Sequence, residues 1–341
     1  MNYMLKDENA IYYECGYSCD NALYLSLGSE AFFITDSRYT QEVRKVFGRR
    51  LVVKEFKNSL AETVFAMMKE QKLKKLGFDE RYFSVAQFKA VKRLCPKGIL
   101  MVPKNGVVSE MRLVKDDDEL KIIRQCLKVN LETYQYLKRV IKPGMTERDI
   151  YFKAEAFVRS KDAKFSFLPV IAGGANSAYP HARLSKRRIR AKDLILIDLG
   201  IHIKGYKSDL TRIFVSSKIT KPMRDAYGAV ADAQASAIAE IRAGVRVAQV
   251  DEAARKSLKR NKLERFFTHS TGHGVGMDIH EAPRLSQKSK EILKAGMVVT
   301  VEPGVYFPGK FGIRIEDMVL VKENGCEILS RKDKVEQPFC F

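Results

Sequence analysis

Ile195-Leu196-Ile197-Asp198-Leu199-Gly200, running through Gly205-Tyr206 into Ser208-Asp209-Leu210-Thr211, is the stretch on which the fold turns. A carboxylate inside an apolar, strand-like run is costly to bury unless it is paired or bound to a cation, so Asp198 calls for a partner. If residues 194–201 and 207–215 form a hairpin turning near Ile203 to Gly205, Asp198 and Asp209 lie about equally far from the turn. They would then face each other, with Cβ atoms about 4.5–5.5 Å apart. Two carboxylates that close repel unless a cation lies between them.

The same construction returns downstream. Met297-Val298-Val299-Thr300-Val301-Glu302 is a β-branched run stopped by Pro303-Gly304, and Gly312-Ile313-Arg314-Ile315-Glu316 alternates polar and apolar. A turn centred on Gly309 sets Glu302 opposite Glu316. Two hairpins with facing carboxylates offer four acidic ligands, and the histidine-bearing stretch Thr268 to Gly276 can add one imidazole. Such a set suits a two-metal centre, whose ions stand about 3.5–4 Å apart, share bridging carboxylates and activate one water.

A chain of 341 residues exceeds a typical single core, and two domains are expected, 1–105 and 106–341, with the turn-rich Val102-Pro103-Lys104-Asn105-Gly106 between them. Lys and Arg outnumber Asp and Glu by 61 to 41, a formal net charge of +20. Such a balance raises the question of nucleic acid. The basic residues are scattered, however, and the densest group, Lys186-Arg187-Arg188-Ile189-Arg190, has no interleaved aromatic residues, so a Lys-rich solvated surface is the reading and nucleic acid is not an expected partner. Six cysteines without CxxC spacing favour a reducing compartment. No signal-peptide core opens the chain and no run approaches the ~20 apolar residues of a membrane span, so a cytoplasmic protein is expected.

In chain order, Ala10 to Cys15, Ala22 to Leu27 and Ala31 to Thr35 read as strands, Ser59 to Lys72 and Val85 to Leu94 as helices, and Lys75 to Asp79 as a strand between them. This is a small α/β domain. Asp116-Asp117-Asp118-Glu119 then opens a long helix to about Ile141, and Thr146 with Asp149 reads as a capping box for a second helix. The pattern returns one hundred residues on, with helices from about Pro222 to Arg242 and Ala248 to Arg260. Ile141, Gly144, Met145, Ile150 and Ala154 match Ile241, Gly244, Val245, Val250 and Ala254. An internal duplication follows, each half supplying a helix pair and a carboxylate-bearing hairpin.

Asp198, Asp209, His273, Glu302 and Glu316, in that order and with these neighbours, resemble the metal ligands of the methionine aminopeptidase, aminopeptidase P, prolidase and creatinase superfamily, metallopeptidase family M24, with its pita-bread fold. Tyr12 to Tyr17 and Ile34 to Tyr39 resemble its creatinase-type N-terminal domain. Asn176 to His181, Asp198 to Arg212, His269 to Glu281, Thr300 to Gly304 and Gly312 to Asp317 resemble the Xaa-Pro branch. The resemblance implies an α/β (α+β) chain: a small N-terminal domain, then a pita-bread catalytic domain with a pseudo-two-fold repeat.

It further implies that Asp198 binds one metal, His273 and Glu302 the other, and that Asp209 and Glu316 bridge the two. Glu302 would relay a proton, His181 and His280 would lie in the substrate cleft, His269 would be a cleft or supporting histidine, and Arg314 would orient a carboxylate ligand. His202 has no place in the pattern. The implied cofactors are two divalent ions, Mn²⁺ with Co²⁺ or Zn²⁺ as options, and the implied substrates are peptides with proline second. The implied activity is an Xaa-Pro aminopeptidase, with Xaa-Pro dipeptidase as the alternative and a non-catalytic binding module as the rival from another class. A homodimer is expected. Two departures stand out: the usual first helix of the N-terminal domain is expected to be missing, and Ile213 and Tyr179 stand where relatives commonly carry threonine and a smaller apolar residue.

Overall fold

The computed structural model describes residues 2–104, 106–216, 218–330 and 339–340. The chain divides into two compact units between Met111 and Arg112. The boundary expected at residue 105 precedes a short helix, Val107–Met111, that belongs to the first unit, and Asn105 itself lies outside the described residues.

The first unit is built on a six-stranded mixed sheet in the order Val52–Glu55, Glu30–Thr35, Ala22–Leu27, Tyr3–Leu5, Lys75–Phe78, Leu100–Pro103. One face packs Val64, Phe65 and Met68 of the helix Leu60–Glu70 against Leu23, Leu25 and Ile34. The other packs Ile11, Val43 and Phe47 against Tyr24 and Phe33. Ile11 belongs to a helix, Glu8–Cys15, and not to the strand expected from Ala10 to Cys15. Caps decide this: the Asp7 carboxylate accepts from the Ala10 amide at 2.8 Å, and Gly16, in the left-handed region, donates to the Tyr12 carbonyl at 2.6 Å.

The second unit states one theme twice. The helices Asp117–Val140 and Glu147–Arg159 precede a four-stranded sheet containing Val170–Gly173, Leu194–Leu199 and Leu210–Val215. The helices Lys221–Ala239 and Val247–Arg260 precede a five-stranded sheet containing Gly272–Gly274, Val298–Val301 and Asp317–Lys322. Capping boxes start the first pair, at Asp116 with Glu119 and at Thr146 with Asp149. The repeat extends to single hydrogen bonds. Gly144 donates to Ile189 and receives its mirror in Gly244 donating to Leu293, at 2.8 and 2.9 Å, and the isolated bridge Thr146 to Arg188 recurs as Arg246 to Ile292. Ile150 and Val250 are buried, as are Ala154 and Ala254. One apolar core, holding Leu194, Leu196, Val230, Ala254, Val299 and Val319 among others, runs through both halves. The sheets are thereby fixed to each other at the strands that carry the acidic residues.

Candidate metal centre

The first hairpin is antiparallel, as expected, but its register is not the expected one: Asp198 lies opposite Thr211. Ile203 pairs with Tyr206 across a two-residue turn, Lys204-Gly205, in which both residues have positive φ, the requirement of a type I′ hairpin. The turn centre thus falls one residue later than expected, and Asp209 moves to a diagonal neighbour of Asp198, still on the same face as Thr211. Gly200 lies at the bend, where a Cβ would overlap the Ser208 carbonyl and the Ser166 hydroxyl. No larger residue fits there.

The second hairpin keeps its expected register. Val301 pairs with Asp317, and Gly304 pairs with Arg314, so Glu302 and Glu316 fall opposite one another in the break between the two ladders. Pro303 has no N–H to continue a ladder. The two glutamate amides bond elsewhere, Glu302 to the Thr271 carbonyl at 2.7 Å and Glu316 to the Thr211 carbonyl at 3.3 Å, which ties both hairpins and the histidine strand together. His273 sits on the strand Gly272–Gly274, at a register shift that re-aims the strand. Its Nδ1 donates to the Gly274 carbonyl at 3.0 Å, leaving Nε2 toward Asp209 Oδ2 at 3.6 Å and Glu302 Oε1 at 3.3 Å. That is the tautomer in which a histidine ligates through Nε2.

One ligand atom each from Asp209, His273 and Glu316 lies within 4.8 Å of the others. Asp209 and Glu316 are buried, and the side chains of Asp198 and Glu302 are only 14% and 16% exposed. Arg314 is the buried cation among them. Its NH2 donates to Asp198 Oδ2 at 2.5 Å, Nε to Thr211 Oγ1 at 3.0 Å, and NH1 to the Tyr306 hydroxyl at 2.7 Å and the Pro180 carbonyl at 3.2 Å. Thr211 Oγ1 in turn donates a hydrogen bond to Glu316 Oε2 at 2.8 Å. Burial first, then repulsion from neighbouring carboxylates, Glu316 and Asp198 on Asp209 and Glu302 and Asp198 on Glu316, pushes Asp209 and Glu316 well above the ordinary carboxylate range, while burial raises Asp198 against the pull of Arg314. Burial would raise Glu302 too, but its hydrogen bond with His273 and the charges of His273, His269 and Arg314 bring it down to about 2.

The remaining expected residues fall around this cluster. The His280 ring stands edge-on to His273, with centroids 4.4 Å apart. His269 donates through Nδ1 to the Ser270 carbonyl, and its Nε2 accepts from the Tyr306 hydroxyl, both at 2.9 Å. His181 is exposed, next to the Pro180 carbonyl that Arg314 holds. His202 is outside the cluster, on the first hairpin opposite Lys207. Of the departures, Ile213 is in the core and Tyr179 is exposed. Thr211 and Tyr306 were not anticipated as members of the network. Register carries the signal for both: Thr211 faces Asp198, and Tyr306 is the diagonal neighbour of Arg314 on the second hairpin.

The donor set fits divalent cations. Asp198 Oδ1 and Glu316 Oε1 are buried without a hydrogen-bond partner among the described residues, a costly state for carboxylate oxygens that a cation removes. Oxygen-rich ligation with one imidazole suits such ions. A doubled helix-and-hairpin unit converges on buried carboxylates that fit divalent cations, the architecture of a metal-binding protein, and comparison with known proteins gives the family. Residues 121–323 match metallopeptidase family M24, and residues 2–114 match the creatinase/prolidase N-terminal domain. The chain is 33% identical to the uncharacterized peptidase YqhT of Bacillus subtilis (strain 168), over 97% of its own length and 94% of the relative's. It superposes on an Xaa-Pro dipeptidase from Bacillus anthracis with TM-score 0.94 and 30% identity, covering 100% of this chain and 95% of that one. It also superposes on an X-Pro aminopeptidase from Thermotoga maritima MSB8 with TM-score 0.91 and 29% identity, covering 100% and 97%. The chain belongs to metallopeptidase family M24, a family of divalent-metal hydrolases, which sets aside the non-catalytic binding module. Among the described residues, no helix is long and apolar enough to cross a membrane.

Proposed function

We propose that this metallopeptidase is an Xaa-Pro aminopeptidase, releasing the first residue of peptides with proline second. The observation that carries the metal chemistry of this reading is the convergence of Asp209, His273 and Glu316 within 4.8 Å, beside carboxylate oxygens of Asp198 and Glu316 without a partner among the described residues, and the similarity to the Thermotoga maritima X-Pro aminopeptidase supports the choice of activity. Asp198 would hold one divalent ion, His273 and Glu302 a second, and Asp209 and Glu316 both, with Mn²⁺ as the native metal. Ions in that position supply a Lewis acid for the scissile carbonyl and lower the pKa of the attacking water. Glu302 would take the water's proton and return it to the departing proline nitrogen. His181 and His280 contact the peptide and steady the oxyanion, and Arg314 fixes Asp198.

Xaa-Pro dipeptidase shares every one of these residues and is the second reading, supported by the similarity to the Bacillus anthracis dipeptidase. The experiment compares release of alanine from Ala-Pro-Ala and from Ala-Pro in Mn²⁺ buffer, with wild type and Asp209→Ala. The aminopeptidase reading expects the tripeptide to be cleaved, and Asp209→Ala to lose nearly all turnover on it. Cleavage of Ala-Pro alone makes the chain a dipeptidase, and a fully active Asp209→Ala refutes the bridging role.

A further inference from the structure

Arg112 and Lys115, in the segment leading into the helix Asp117–Val140, are buried cations outside the metal cluster, 4% and 5% exposed. Arg112 NH2 donates to Asp278 Oδ2 at 2.6 Å and to Glu281 Oε2 at 2.7 Å. Lys115 Nζ donates to the other oxygen of the same glutamate, Oε1, at 2.5 Å. The two carboxylates bracket the turn that carries His280. Within that turn Gly276 donates to the Asp278 carbonyl at 3.1 Å, while its own carbonyl accepts from Lys207 at 2.8 Å. A Cβ at Gly276 would stand 2.6 Å from Glu281 Oε1, so the backbone closes directly on the clamped carboxylate. Glu281 pairs across the ladder with Gly274, the residue that follows His273. His280 is thus held between Asp278 and Glu281, both fixed from outside the turn, and its ring meets His273 edge-on.

Buried ion pairs cost desolvation that apolar side chains do not, so their best-attested use is to fix a register. Here the register fixed is that of the His280 turn. We propose that Arg112 and Lys115 are positioning residues for the hydrolytic reaction, acting through Asp278 and Glu281 to hold His280 against His273 in the substrate cleft. The proposal rests on the reading that His280 contacts the peptide.

The test is a double-mutant cycle on the full chain with Mn²⁺ and Ala-Pro-Ala, or Ala-Pro if only that is cleaved, reading kcat and KM separately, with thermal unfolding alongside. Arg112→Gln should lower kcat/KM about tenfold in the wild-type background, but less than about twofold when His280 is already alanine. Asp278→Asn, at a carboxylate that is 34% exposed, gives a second arm should Arg112→Gln not fold, and the same pattern is expected of it. If both variants lower the unfolding temperature and leave kcat/KM at wild type, the clamp serves stability alone and the proposal is overturned. It is equally overturned if the loss in the His280→Ala background is as large as in wild type. A wild-type kcat/KM for His280→Ala would instead refute the underlying assignment of His280, a result distinct from either.

Discussion

Thr211 shows how a single side chain serves the cluster without being charged. It accepts from Arg314 Nε and donates to Glu316 Oε2, so it sets both a cation and a carboxylate with one hydroxyl. Thr211→Val keeps the shape and strands both partners. Leaving a buried donor or acceptor unsatisfied costs about 1–3 kcal/mol, and a loss of that size is expected in denaturant unfolding, with weaker metal binding by titration. Unchanged stability and affinity would mean that water replaces the hydroxyl. At this scale the sequence was legible where a residue's type was enough. Asp198 in an apolar run announced itself, but Thr211 and Tyr306 did not, because a threonine or tyrosine in a strand is ordinary until register shows what it faces.

The strands and helices explain why one hairpin register was read correctly and the other was not. Pro303 and Gly309 fix the second hairpin from both ends, whereas the first depended on which two residues of Ile203 to Gly205 and Tyr206 made the turn, and positive φ at Lys204 is not visible in residue type. Local caps likewise won over apolar patterning at Glu8–Cys15, and Asp36 capping Ser37–Phe47 made a helix that the sequence reading passed over. The two hairpins are joined by Arg212, whose NH2 meets Asp317 Oδ1 at 2.8 Å with both side chains buried. Removing one member of such a pair leaves an unpaired buried charge, which costs about 3–5 kcal/mol. Arg212→Met should therefore lower the unfolding free energy by about that amount, whereas a change below about 1 kcal/mol would show that the pair does not hold the hairpins together.

For the molecule as a whole, the repeat was legible because Gly144 and Gly244, and Ile150 and Val250, hold equivalent places, while the relation of hairpin to hairpin needed long-range packing that no local pattern encodes. The cluster also makes stability depend on pH. Asp198, Asp209 and Glu316 are raised in the folded chain, so without metal the unfolded state gives up its protons first, and stability falls as pH rises above the ordinary carboxylate range. His273, raised by Glu302 in spite of burial, adds to the fall above its ordinary value, and Glu302, at about 2, contributes a constant amount throughout. The gain in unfolding temperature on adding Mn²⁺ should therefore be larger at about pH 8 than at about pH 5, by scanning calorimetry of stripped and loaded protein. An equal gain at both would contradict the cluster's raised acids. The central claim, that the five residues hold two divalent ions on which peptide hydrolysis depends, is tested by stripping the protein with chelator, titrating Mn²⁺ back, and measuring bound metal and Ala-Pro-Ala and Ala-Pro cleavage on the same samples. Two ions per chain, with hydrolysis absent when stripped and returning as they bind, is the predicted result; hydrolysis by the stripped chain, or no bound metal, would contradict it.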